Sequence, residues 1–148
     1  MKRTGIFFTY FQGERLKRFP QALSGILDKE NVSYYDAVYD SRHGLFNLEP
    51  LSEKLLLKVH SEDMVQGVKL TGDYESALYS AGGTVQAADE IRQGKIDNAF
   101  IFTSFGDHHA GRNFYGGMCY FNGAALAIAA LKKRGVKDER LLSNLYAV

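Results

Sequence analysis

Ala99-Phe100-Ile101-Phe102 is an unbroken apolar run of strand length set between two helical patterns. Continuous rather than alternating hydrophobicity implies burial on both faces, as in a central parallel strand. Upstream, Tyr74, Ala77, Leu78, Ala81, Val85, Ala88 and Ile91 make one apolar stripe, with Asp73 placed as N-cap and Gly94 as the stop. Gly82-Gly83 interrupts the stripe at a cost of about 1 kcal/mol per glycine relative to alanine, which implies another backbone packed closely there. Downstream, Asn122 is placed to cap a helix over Ala124 to Leu131, with Lys132, Lys133 and Arg134 at its negative end and Gly135 closing it. With the apolar strand begun by Leu145 to Val148, strand, helix and strand in this order make a βαβ unit and predict an α/β fold, a three-layer, largely parallel sheet covered by helices.

The remaining elements fit around that frame. Gly5 to Phe11 is β-branched and aromatic and reads as a first strand. A helix is expected from near Pro20 to Asp28, then a strand over Val32 to Tyr39 and a loop over His43 to Asn47. Pro50 suits a first helical position, leading into Leu51, Leu55 and Leu56. Ser61, followed by Glu62 and Asp63, has the chemistry of a helix start. A length of 148 residues, with no linker or repeat, fits one domain over 1–148. A hydrophobic content of 45% excludes a disordered chain.

Charge and cysteine usage narrow the function classes. A formal charge of +1 gives no electrostatic argument for a nucleic-acid or membrane partner, and neither is expected. The longest apolar run, Ala124 to Leu131, is far short of the ~20 residues that cross a bilayer. Met1-Lys2-Arg3 leads into too short an apolar stretch for a secretory signal. The single cysteine, Cys119, excludes an internal disulfide and fits a reducing, cytoplasmic setting.

In open parallel sheets the site lies in the loops that follow the strands' carboxyl ends. The loop after Thr103 holds two adjacent histidines, His108 and His109, then a glycine- and aromatic-rich stretch that enters a helix at Asn122. Imidazoles titrate near neutrality, so a pair can divide general-base and general-acid work. Gly116 and Gly117 allow close backbone approach to a ligand, and Phe114 and Tyr115 are placed to line a cleft. His43, His60, His108, His109 and Cys119 are the strong nitrogen and sulfur donors, and no spacing among them matches a structural zinc motif. His60, at a helix junction, reads as structural, and Cys119 as a small buried thiol rather than a nucleophile.

His108-His109-Ala110, followed by Gly117-Met118-Cys119-Tyr120-Phe121-Asn122, resembles the zinc-dependent deacetylase family of histone deacetylases and acetylpolyamine amidohydrolases, which has the arginase-type fold. Leu57-Lys58-Val59-His60-Ser61, Ala81-Gly82-Gly83-Thr84 and Asp97-Asn98-Ala99-Phe100 extend the resemblance upstream in the family's order. The resemblance implies that His108 and His109 serve as general base and acid around a zinc-bound water. It also implies that Gly117, Met118 and Cys119 bind substrate along a tunnel. Met118 replaces the family's phenylalanine, and Asp107 its glycine. A carboxylate beside the histidines would disturb the division of labour between them. The loop after the first strand is also short for the family.

The family's metal ligands, an Asp-x-His on the next strand and a later aspartate, and its oxyanion tyrosine, have no counterparts before Val148. Zinc catalysis needs three protein ligands and an open position. The sequence therefore resembles the N-terminal half of a deacetylase domain, with an acid–base pair, no metal site of its own, and zinc as the family's cofactor. Three functions follow: one piece of a deacetylase completed by a C-terminal half, a non-catalytic binding remnant of the fold, or an α/β domain whose histidine pair is inert. An unpaired strand edge at Val148 predicts a homo-oligomer or a complementing chain, and the old pocket an acetylated amide ligand. The chain alone is expected to bind no zinc and to turn over no substrate.

Overall fold

The computed structural model describes residues 1–9, 23, 25–36 and 46–137. Strands β1 (Thr4–Thr9), β2 (Val32–Asp36), β3 (Phe46–Asn47) and β4 (Asn98–Thr103) form one parallel sheet in the order β3-β2-β1-β4. β1 pairs on both edges, and Gly5 to Thr9 are all buried. Its alternating side chains enter two cores, Ile6 and Phe8 with Leu27 and Tyr34 on one face, and Phe7 with Tyr35, Ala87 and Ile96 on the other. Phe7 and Tyr35 lie opposite in register and stack with centroids 4.2 Å apart.

Four helices are described, α1 (Glu53–Val59), α2 (Glu62–Lys69), α3 (Tyr74–Arg92) and α4 (Gly123–Lys133). α3 lies along β1 and β4, and α4 packs against α3 and α1. Leu56, Val65, Val68, Ala81, Phe121 and Leu126 join these helices and the loop before α4 into the main apolar core. Two expected caps make their bonds, Met64 N–H donating to Ser61 Oγ and Ala125 N–H to Asn122 Oδ1 at 2.9 Å. Asp73 stands at the N-cap of α3 without a capping bond and accepts from the Tyr120 hydroxyl instead. Gly94 and Gly135 end their helices with φ of +68° and +83°.

The close approach expected at Gly82-Gly83 is present. A Cβ on Gly82 would fall 2.5 Å from the Glu49 carbonyl oxygen, and one on Gly83 would strike Thr9 Cγ2. The α/β class and the parallel sheet are likewise as expected.

Four local readings change. Pro50 lies outside the helix, which begins at Glu53 after Ser52. The backbone before it is spent on α3 instead, with Leu51 N–H donating to Leu78 O and Glu49 N–H to Gln86 Oε1. Phe46–Asn47, read as loop, forms a short strand beside β2. Residues 25–30, at the end of the helix expected from Pro20, form turns, with Gly25 at φ +65°. Finally, β4 borders the described sheet rather than occupying its centre, and Phe100 is 62% exposed. Apolar continuity reports burial on both faces only where both are covered, and α3 covers the Ala99 and Ile101 face alone. Pro20, His43 and the strand expected at Leu145 to Val148 lie outside the described residues.

Candidate active site

The loop from Ser104 to Asn122 starts where β4 is clasped to β1. The buried Thr9 hydroxyl donates to Phe102 O and accepts from Ser104 N–H, while the Ser104 hydroxyl donates to Thr9 O. Phe105 then turns inward and meets Tyr120 edge to face at 5.1 Å. Asp107 anchors the next step to α4. Its carbonyl accepts from Gly123 N–H at 2.8 Å, and its carboxylate accepts the Thr84 hydroxyl proton at 2.9 Å. Gly123 makes this possible, because a Cβ there would lie 2.5 Å from Asp107 Oδ2. The carboxylate is therefore engaged by α3 and sits at the start of α4, where its charge suits the helix dipole. Asp107 is thus put to a structural use, joining the loop to α3 and α4.

His108 and His109 follow, both exposed, with ring centroids 4.1 Å apart and planes tilted by 47°. Their backbones are held while their rings are not. Cys119 Sγ accepts from His108 N–H at 3.2 Å and from His109 N–H at 3.0 Å. Among the described residues, neither ring has a hydrogen-bonding partner. Cys119 is a buried free thiol, as expected, and its sulfur faces backbone donors. A tight turn, with Cys119 N–H donating to Gly116 O and Gly117 at φ +56°, presents Met118 outward at 67% exposure. Phe114 is also exposed and covers Gly111, whereas Tyr115 packs against Tyr120. Gly117 and Met118 thus stand at the surface, with Cys119 beneath the pair. Behind Gly106 and Asp107 a crevice lined by Ser80, Ala81 and Phe121 is too narrow to admit a water molecule.

His60 enters the site from the other side of the fold. It is 1% exposed, lies against Phe121, and uses both ring nitrogens. Nδ1 is 2.7 Å from Gly111 O, and Nε2 accepts from Asn122 N–H at 3.2 Å. A carbonyl needs a donor and an N–H needs an acceptor, so the ring is neutral with its proton on Nδ1. Burial holds its pKa below the ordinary 6.5, against the opposing pull of the Gly111 carbonyl. Ser61 N–H adds a third tie, to Arg112 O at 2.7 Å. The structural reading of His60 holds, but its partners are the two ends of the candidate site.

These described residues do not make a zinc centre. Among them no three His, Cys, Asp or Glu side chains gather, His60 has no free nitrogen, and Cys119 is occupied by two N–H groups.

The geometry has relatives. The histone deacetylase domain family matches residues 69–141, from the end of α2 through the whole histidine loop and α4. That match, with the likenesses to known proteins, supports a partial histone deacetylase-family domain. The chain is 26% identical to a probable deacetylase of Archaeoglobus fulgidus over 94% of this chain and 44% of that protein. It is 30% identical to a histone deacetylase-like amidohydrolase of Pseudomonas aeruginosa over 64% of this chain and 29% of that protein. With the acetylpolyamine amidohydrolase of Mycoplana ramosa the identity is 37% over 48% of this chain and 20% of that protein. The chain spans less than half the length of these curated relatives. Among solved structures, the HDA15 HD domain superposes with a TM-score of 0.66 at 22% identity, over 92% of this chain and 45% of that one, a likeness of fold. The protein is thus deacetylase-like, built on the fold of a histone deacetylase domain.

Sequence reasoning took Asn122 as a helix cap alone and gave Thr84 no separate role. Asn122 stood in the Gly117 block of the resemblance and Thr84 in the Ala81 block, and neither block signalled the bonds these residues make to the histidine loop.

Proposed function

We propose that the chain supplies the proton-transfer part of a site that hydrolyses the amide of an acetylated amine, acetyl-lysine or an acetylpolyamine. The observation that carries this reading is the pairing of two exposed imidazoles at 4.1 Å, on a loop whose backbone is fixed beneath them. One ring takes a proton from the attacking water and its neighbour returns one to the leaving amine. Zinc, the family's cofactor, would polarise the carbonyl when bound. Its ligands would come from outside the described residues, and we assign them to a complementing chain or a further segment of the protein. Met118 and Phe114 would give the acyl-amine stem an apolar surface at the mouth of the site. The buried free thiol suits a cytoplasmic location. A non-catalytic binding domain is the second reading, favoured by the lack of a metal-ligand cluster among the described residues.

The test is acetate release from an acetyl-lysine peptide and from an acetylpolyamine, with zinc added. The chain is assayed alone and together with the C-terminal half of a related deacetylase. Turnover in the mixture alone, lost on His108→Ala or His109→Ala, is the expected result. Turnover that survives both substitutions would remove the histidines from the chemistry. Substrate binding without turnover in any mixture would favour the second reading.

A further inference from the structure

One side chain grips the carbonyls of the two residues that flank His109. Asn122 Nδ2 donates to His108 O at 3.3 Å and to Ala110 O at 3.1 Å, while its Oδ1 accepts from Ala125 N–H at 2.9 Å. Two carbonyls call for a donor and one N–H for an acceptor, so the partners fix which end of the amide faces which way. The backbone N–H of Asn122 is itself held by His60 Nε2, and Cys119 Sγ takes the N–H groups of His108 and His109. Both N–H groups of the pair and the carbonyls of His108 and Ala110 are thereby bonded, and the rings are left exposed.

Resting on the reading of His108 and His109 as the proton-transfer pair, we infer that Asn122 is a positioning residue, whose amide sets the spacing of the two imidazoles through the carbonyls that flank His109. A helix cap alone does not require this amide. Asn, Asp and Ser cap comparably well through a side-chain oxygen. Only the NH2 group serves His108 and Ala110. In Asn122→Asp the cap persists, and the second carboxylate oxygen faces two carbonyl oxygens that repel it. In Asn122→Ser the cap persists and the donors vanish.

The test uses the full chain carrying each substitution, with three readouts. Helix content and unfolding midpoint report the cap. The carbonyl 13C resonances of His108 and Ala110, with the ring 15N resonances of His108 and His109, report position without any turnover. In the complemented enzyme, kcat is expected to fall about 100-fold with KM held, the scale of an ångström-sized misplacement of a reacting group. The inference expects unchanged helix content, shifted carbonyl and ring resonances in both variants, and the kcat loss. Unshifted resonances in either folded variant would overturn it, as would an unchanged kcat. If the wild-type complemented enzyme shows no turnover, the functional reading fails while the resonances still decide the role of Asn122.

Discussion

His60 and the His108–His109 pair are the same side chain put to opposite uses within one site. His60 is buried and spends both ring nitrogens on backbone groups 51 and 62 residues away. The pair is exposed, its backbone is bound, and its rings have no hydrogen-bonding partner among the described residues. A histidine whose nitrogens are both committed can stabilise a fold but cannot exchange protons with a substrate. A histidine whose backbone is committed and whose ring is free can do so without disturbing the fold. What separates the two is which atoms are bonded.

The largest expected effect sharpens that contrast. In a complemented enzyme, His108→Ala and His109→Ala should each lower kcat by roughly 100- to 10,000-fold, the usual worth of positioned acid–base catalysis. Their unfolding midpoints should stay close to wild type, because no described hydrogen bond of either ring is lost. His60→Ala should do the reverse and cost stability first. It leaves the part-buried Gly111 O and Asn122 N–H without the ring that bonds them, and the expected loss, read by urea unfolding, is about 3 kcal/mol.

Much of this contrast was out of reach of the sequence. Periodicity and end residues are local, so α2, α3 and α4, with their caps at Ser61 and Asn122 and their stops at Gly94 and Gly135, were legible. The close packing at Gly82 was legible too, because an otherwise costly glycine pair needs a reason. The extended stretch at Pro50 was not, since its backbone bonds go to a helix that begins more than twenty residues later. The reach of His60 to Gly111 and Asn122, and the turn of Asp107 toward Thr84, likewise depend on contacts between distant segments. The site was legible as a cluster of residue types, and the division of labour inside it was not.

A smaller effect concerns pH. Burial lowers the folded-state pKa of His60 below its ordinary 6.5, so the unfolded chain binds more protons in that window. The His60 contribution to stability is complete above pH 6.5. It should decline as pH falls toward the depressed folded value and change no further below it, in urea melts that compare wild type with His60→Gln. A pH-independent difference between the two would contradict the neutral, doubly bonded ring. Smaller again, Met118→Ala should alter stability by no more than about 0.5 kcal/mol, as befits an exposed side chain, and should raise KM for an acyl-amine substrate.

The division of labour is tested most directly by the ring 15N spectrum of the histidines in the folded chain at neutral pH. The account predicts that His60 shows a single neutral tautomer protonated at Nδ1. It also predicts that His108 and His109 exchange their ring protons freely with water, and that each shifts when the other is substituted. A locked ring at His108 or His109, or a freely exchanging ring at His60, would contradict it.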